Sequence, residues 1–400
     1  VNTDSAFEVA VVGGALIGAA AARALGCDPR GARVALIARE PRPAPLDSAA
    51  PGFDSRVYAI SPANAAFLAQ LGAWSAIPQA CKTPVRAMRV HGDDGEALIE
   101  FDAYRSGCGE LAWIIEDRWL QDALWRGLES QQGLSFFPAS PVQDLEMTEA
   151  GAGLLLDGGR RLAARLVVGA DGARSLVRAR AGIPCEEHGY AQTAVVANFA
   201  CGRPHRNTAF QWFQGGRHDG AVLALLPLPG NHVSMVWSTG DAAASRLLAL
   251  DAGALAREVA DVSRHVVGKL ALVTPPRGLA LQRLTARRLV APRIALAGDA
   301  AHVLHPLAGQ GANLGLQDAR ALAAAIAGRE PGRDPGDIRL LRRYERSRAE
   351  DILAMRAAVH GLFRLFGAQG EGIARLRNAG LNLADRMPVL KNLLMRHAMG

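Results

Sequence analysis

The chain opens with a run of apolar positions, residues 7–12, that has β character. A glycine turn and an Ala-rich stretch of helical composition, residues 18–25, come next. A second apolar run, residues 33–38, follows a short polar turn. Strand, helix and strand in that order predict a βαβ unit, the usual opening of a doubly wound dinucleotide fold. Residues 41–51 are Pro-rich and predict an irregular loop. Residues 61–71 have helical spacing, with Ser61-Pro62 as the start signal because Pro is tolerated in a first turn. Residues 85–101 alternate around Gly92-Asp93-Asp94-Gly95 and predict a β-hairpin. An amphipathic helix is expected at 116–129, and two strands at 154–168 around Asp157-Gly158-Gly159.

From 194 to 239 the pattern changes to β runs rich in Val, Phe and Trp, with turns at Gly215-Gly216 and Pro229-Gly230-Asn231. This predicts a separate antiparallel sheet inserted between two pieces of the first domain. Parallel-sheet character returns at 293–297, and from 314 to about 364 the pattern is helical, then helical again in short pieces. The expected fold class is α/β: a discontinuous Rossmann-like domain (1–75, 105–185, 280–330), an inserted antiparallel β-sheet domain (76–104, 186–279) and a helical C-terminal region (331–400). No internal repeat is present.

Half of the 400 residues are apolar and 21% are charged, which fits a globular protein of about two domains. The net charge is +7, but the only lysines are Lys82, Lys269 and Lys391, and the arginines are scattered. A nucleic-acid protein concentrates such charge on one stripe, so that class is set aside. A plainly solvated surface and one that attracts anionic lipid or an acidic partner both stay open. The five cysteines form an odd set without Cys-x-x-Cys spacing, so a disulfide framework or metal site is not expected and a reducing cytoplasm fits. No uninterrupted run of about 20 apolar residues predicts a spanning helix. The apolar run 9–22 lacks a basic leader and contains a glycine turn, so it is not expected to be a signal peptide.

Three stretches carry chemistry. Val11-Val12-Gly13-Gly14-Ala15-Leu16-Ile17-Gly18 has Gly-x-Gly-x-x-Gly spacing with Ala at the middle glycine. Such glycines permit a tight turn, close approach of a pyrophosphate and close strand–helix packing. A ribose-binding acid should end the second strand, but Ala38 stands there; Glu40 reaching back and Glu40 as a solvated loop residue are both open. Next, Leu166-Val167-Val168 runs into Gly169-Ala170-Asp171-Gly172-Ala173-Arg174-Ser175. Asp-Gly after a strand is by itself an ordinary turn. The third stretch, Gly298-Asp299 through His302, His305-Pro306 and Gly309-Gln310-Gly311-Ala312-Asn313 to Asp318, is the most specific. A strand ends in an Asp able to accept hydrogen bonds from sugar-alcohol hydroxyls. Glycines then precede a helix expected near Ala312, whose N-terminus suits a flat polar ring or an anion.

Together, in this order and at these separations, the three stretches resemble the single-component FAD-dependent aromatic hydroxylases, and within them the ubiquinone-biosynthesis hydroxylases. Asp54-Ser55-Arg56-Val57-Tyr58-Ala59-Ile60-Ser61, Gly309 to Gly315 and the closing residues 388–400 add to the likeness, which is weakest over 203–289. The resemblance implies that the Rossmann-like domain binds FAD and the inserted sheet binds substrate. Gly13, Gly14, Ala15 and Gly18 would hold the pyrophosphate, with Arg56 and Arg118 reaching the cofactor. Asp171 and Gly172 would touch FAD and pyridine nucleotide. Gly298 and Asp299 would meet the ribityl chain, and Gly309, Gly311, Ala312 and Asn313 would lie along the isoalloxazine. Pro306 would turn its carbonyl toward the substrate.

His302 and His305 leave acid–base and structural roles open, and no third ligand points to a metal. Phe210, Trp212, Phe213 and Trp237 form either an aromatic substrate wall or a core face. The implied activity is hydroxylation of a polyprenylphenol-type ring in ubiquinone biosynthesis with NAD(P)H and O2, through a flavin hydroperoxide. With no second Gly-x-Gly-x-x-Gly, NAD(P)H is expected to bind transiently. A related flavoenzyme on another aromatic substrate and a non-catalytic FAD-binding assembly subunit are the alternatives; the Trp-x-Trp-x-Ile-Pro pattern of halogenases is missing around Trp113. A lipid-tailed substrate implies contact with a membrane or a lipid carrier. Residues 381–399 would serve as an interfacial helix, as a subunit contact in a homo-oligomer or pathway complex, or as plain packing. The expected location is cytoplasmic, with a peripheral site at the inner face of the membrane left open.

Overall fold

The computed structural model describes residues 6–47, 52–92, 97–214, 221–304 and 311–367, with side chains to 357. The opening βαβ unit is β1 (Ala6–Val12), α1 (Leu16–Gly26) and β2 (Val34–Ile37). β1 is the centre of a parallel set, pairing with β2 on one side and with Arg161–Gly169 on the other. Leu134–Phe137 extends the sheet beyond β2, and Ile294–Leu296 extends it beyond Arg161–Gly169. The chain thus leaves β1 in one direction and returns on its other side. That reversal opens a crevice at the carboxyl ends of the strands, where doubly wound folds bind ligands. All four residues of β2 are buried, as a strand covered on both faces requires.

Among the described residues the second sheet has nine strands, one of which, Leu270–Leu272, pairs with Cys185–Cys201 beside the main path. Its path runs His302–Val303, Arg277–Ala286, Cys185–Cys201, His232–Gly240, Ala221–Leu228, Thr208–Gln214, Ala87–His91 and Leu98–Asp102. Neighbours are antiparallel except for Thr208–Gln214 beside Ala87–His91. Arg277–Ala286 spans the boundary expected at residue 279 and pairs with Cys185–Cys201 across a bulge. Two helices that the β-rich pattern did not suggest, Asp241–Leu248 and Ala252–Val262, cover one face. A small third sheet joins β3 (Val57–Ile60) with Thr83–Val85 and Ala112–Glu116.

The Ser61-Pro62 signal starts α2 (Pro62–Gln70), where the Ser61 hydroxyl accepts the Asn64 N–H. The continuous helix expected from 314 to about 364 is in fact two, Gly311–Ala327 and Ile338–Gly367. Gly328, Pro331, Gly332, Pro335 and Gly336 fall between them and deny the backbone a regular helical ladder. The hairpin turn at Asp93-Asp94-Gly95, the Gly215-Gly216 turn and residues 381–399 lie outside the described residues.

A buried ion pair ties the segment just after Gly311–Ala327 to the loop after α1. Arg329 lies 2.5 Å from Asp28 and 3.4 Å from Glu8, and the Arg329 and Asp28 side chains are both almost fully buried. Removing Asp28 leaves the buried Arg329 guanidinium only the more distant, partly exposed Glu8 as an acidic partner among the described residues. Asp28→Ala should therefore cost about 3–5 kcal/mol of unfolding free energy, read by denaturant titration. A loss within experimental error would show that the pair contributes nothing net.

Candidate functional site

One cavity of about 990 Å³ lies where the two large sheets and the small one meet. One end is the crevice beside β1, lined by Gly13, Gly14, Ala15, Glu40, Arg56, Asp171, Gly172, Asp299, Gly311, Ala312 and Asn313. Most of the residues expected around a dinucleotide are thereby brought to one surface.

The glycine loop is tight for a definite reason. A Cβ on Gly13 would fall 2.1 Å from the Ala170 carbonyl oxygen, and one on Gly18 would fall 1.8 Å from that of Gly13. Gly13 also has φ +118°, which L-side chains avoid. The loop is thus pressed against the Asp171-Gly172 turn, leaving the first N–H groups of α1 facing the cavity. Ala15 adopts ordinary extended backbone at the start of α1 and opens on the cavity, so its methyl strains nothing. Ala38 is buried, and a Cβ on Gly14 would meet the Ala38 methyl at 2.5 Å. A small residue at 38 therefore fits the packing, and Glu40 is the acid on the cavity wall at this end.

Several expected contacts come out differently. Arg118 does not line the main cavity; it pairs with Glu116 at 2.9 Å and donates to the Gly52 carbonyl, beside a smaller pocket of about 200 Å³. The helix Asp117–Glu129 instead presents Asp117, Gln121 and Trp125, four residues apart and hence on one face. Trp125 donates its indole N–H to the Gly14 carbonyl at 3.0 Å. This stripe was available in the expected amphipathic helix, but apolar periodicity does not say which face meets a ligand. The Asp171 carboxylate is already engaged, accepting the Ser175 hydroxyl and the N–H groups of Leu176 and Val177 at 2.5, 2.7 and 3.2 Å. Asn313 turns its amide away from the cavity: its Oδ1 accepts the Ser61 N–H at 3.0 Å and the Asn64 amide at 2.9 Å, while its Nδ2 donates to the Ala59 carbonyl at 2.8 Å. It clamps β3 and α2 to the start of Gly311–Ala327. Gly18 and Gly298 pack behind the lining, Gly298 against Ile17. His305, Pro306 and Gly309 lie outside the described residues.

The aromatic wall is also corrected. Phe210, Trp212 and Trp237 point from the second sheet toward the two covering helices and form its core. Phe213 packs with Val90 and Val222 and does not line the cavity. For Phe210 and Trp212 the cause is the twofold period of a strand, whereas Phe213, on the other face, is covered by Val90, Val222, Met88 and Phe101. Odd and even positions of Thr208–Gln214 face opposite ways, so Ala209 and Gln211 meet the cavity while Phe210 and Trp212 do not.

Charges cluster at the cofactor end. Asp299 opens on the cavity, and burial raises its carboxyl above the usual range, opposed by His302 and Arg56. Arg56 is held charged, first by the Tyr58 phenol and then by Asp117 and Asp299, with Asp117 3.9 Å away. Asp117 is itself raised by burial, and its Oδ1 is buried without a partner on the cavity wall. Behind Asp299, the fully buried Asp318 accepts the Gly298 N–H at 3.0 Å, His302 at 2.6 Å and Arg348 at 2.8 Å. Burial works against its ionisation, but His302 and Arg348 more than compensate and lower its pKa. His302 is therefore a structural partner of Asp318 under the strand end. Among the described residues no group of His, Cys, Asp or Glu is disposed to hold a metal.

A model of the FAD binding domain family matches residues 6–357. The chain belongs to the FAD-binding monooxygenase family. It is 36% identical to the ubiquinone hydroxylase UbiL of Rhodospirillum rubrum over all of this chain and 91% of that one. It is 34% identical to the 3-demethoxyubiquinol 3-hydroxylase of Escherichia coli, over the full length of both. Among solved structures, PqsL of Pseudomonas aeruginosa superposes with a TM-score of 0.77 at 24% identity, covering 94% of this chain and 99% of that one. FAD is thus the cofactor of the class, and monooxygenation of aromatic substrates is its general chemistry.

The residues present fit that cofactor. The glycine loop forms a cradle that a Cβ would fill, two helix N-termini face the cavity, and the orphaned Asp117 oxygen awaits a donor such as a hydroxyl. Asp299→Ala should lose most bound flavin while the chain still folds, read by flavin absorbance and far-UV circular dichroism. Full retention of flavin would remove Asp299 from the ribityl site. Because the folded Asp318 pKa is depressed, its stabilisation is complete above the ordinary aspartate value of about 3.9 and is lost as pH falls through the lower folded value. Asp318→Asn should flatten that acid limb in denaturation curves and lower stability at neutral pH; an unchanged limb would contradict the assignment.

Proposed function

We propose that this protein hydroxylates the aromatic ring of a polyprenylphenol-type precursor of ubiquinone, using NAD(P)H and O2. In the net reaction one oxygen atom enters the ring, the other leaves as water, and NAD(P)H supplies the two electrons. The observation that carries the reading is the shape of the substrate end. Beyond the cofactor crevice the cavity continues as an apolar trough walled by Val85, Met88, Phe101, Val196, Leu226 and Val236, suited to a ring bearing a hydrocarbon tail. Full-length identity to two ubiquinone hydroxylases supports the same substrate class.

Bound FAD would supply the redox and oxygen-activating chemistry. Gly13, Gly14, Ala15 and the start of α1 would hold its pyrophosphate, and Asp299 and Asp117 would accept from its hydroxyls. Gly311 and Ala312 would bring the positive end of the helix Gly311–Ala327 to the ring system, favouring its anionic reduced form. The Asn313 clamp fixes that end against β3 and α2. The apolar wall excludes water from the reacting groups.

No helix among the described residues is long and apolar enough to cross a membrane. A tailed substrate would be taken from the membrane surface or a lipid carrier, so a peripheral inner-face location and assembly with copies of itself or other pathway proteins belong to this reading. Deleting the gene in its host should cause a prenylated phenolic precursor to accumulate, measured by mass spectrometry of the quinone pool. An unchanged pool would overturn the substrate assignment. Purified flavin-loaded protein whose NAD(P)H oxidation no phenol stimulates would favour a non-catalytic assembly role.

A further inference from the structure

The cavity face of the second sheet is a trough crossing seven neighbouring strands, from Arg277–Ala286 to Leu98–Asp102. At a spacing of about 4.8 Å per strand, that floor is roughly 29 Å wide. Its middle is built of small side chains, among them Ala194, Ala209, Ala224 and Ser238, which give the trough its depth. Among the described residues the polar side chains on this floor are Gln211, Ser238 and Gln282, and Gln282 is exposed at the edge.

Gln211 stands apart. It sits on a central strand with Ala224 opposite it on one neighbour and Val90 on the other. It is 95% buried, since its relative exposure is 5%, yet its side-chain amide makes no hydrogen bond to any described residue. The amide opens on the cavity with no partner among the described residues, so a bound polar group can take the place of water there. An amide both donates and accepts, as a neutral phenol hydroxyl does. Among the described residues, the lining contributed by the sheet carries no Lys, Arg or His that would favour a carboxylate or a phenolate; the arginines on the described cavity wall, Arg39 and Arg56, belong to the cofactor end.

We propose that Gln211 is the substrate-orienting residue, hydrogen-bonding the ring hydroxyl of a neutral phenol while the trough holds its apolar substituent. This rests on the substrate reading above and adds the group that sets the ring's orientation. The test uses FAD-loaded protein and two probes, 2-geranylphenol and geranylbenzene, titrated by perturbation of the flavin absorption. Wild type should bind the phenol about tenfold or more tighter than the hydrocarbon, the worth of one buried hydrogen bond. Gln211→Met, of similar length and shape, should erase that ratio while leaving geranylbenzene affinity and FAD content unchanged. Should Gln211→Met lose FAD, Gln211→Leu carries the same readout. A ratio that persists in the variant, or a wild type that binds both probes equally, overturns the role of Gln211 and leaves the prenyl-substrate reading standing. A wild type that binds neither probe overturns that reading and this proposal with it.

Discussion

The Asp318 carboxylate is the point on which the cofactor end of the molecule depends. It receives the backbone N–H of Gly298 at the end of the parallel sheet, the imidazole of His302 and the guanidinium of Arg348. The sheet end with the turn after it and the helix Ile338–Gly367 are thus both fixed to one helix, Gly311–Ala327, whose N-terminus faces the cavity. Arg348 also contacts Gln317 at 3.0 Å, and nearby Tyr344 donates its hydroxyl to the Leu296 carbonyl at 2.7 Å. A buried charge of this kind holds only where charged partners and hydrogen bonds replace the hydration it has given up. Asp299, one residue beyond Gly298, inherits its position from that satisfaction.

A second constraint meets the first at the glycine loop. Gly13 touches Ala170, Gly18 touches Gly13, and Gly315 and Gly298 both close on Ile17. These contacts make β1, the Asp171-Gly172 turn and the start of Gly311–Ala327 one packed unit. The cavity is the space that this unit leaves between itself and the second sheet. The sheet's other face is filled by large aromatics under two helices, so its cavity face is free to carry small side chains. A binding trough and a stable core share one set of strands through the twofold period.

Much of the cofactor end was legible in the residues. The spacing Gly13, Gly14, Gly18 has a steric meaning that no other residue type satisfies, and Gly298-Asp299 at a strand end before a glycine-led helix is nearly as specific. Ser61-Pro62 marked its helix correctly because a cap is a local interaction of neighbouring groups. The roles that went astray were those decided by direction. Arg118 and Asp117 are adjacent, yet a turn of about 100° per residue sends only Asp117 to the cavity. Asn313 stands where the motif placed it, but its amide serves β3 and α2 and leaves the backbone to face the cavity.

The sequence by itself determined the class of fold and the cofactor crevice, because turn glycines, strand periods and helix starts act over a few residues and leave their mark locally. Only the tertiary structure decided which face of the inserted sheet became the trough. Alternation of apolar residues says that a strand has two sides, not which side meets a covering helix and which an open cleft. That choice came from the helices Asp241–Leu248 and Ala252–Val262 packing over Phe210, Trp212 and Trp237, which turned Gln211 and the small residues toward the cavity.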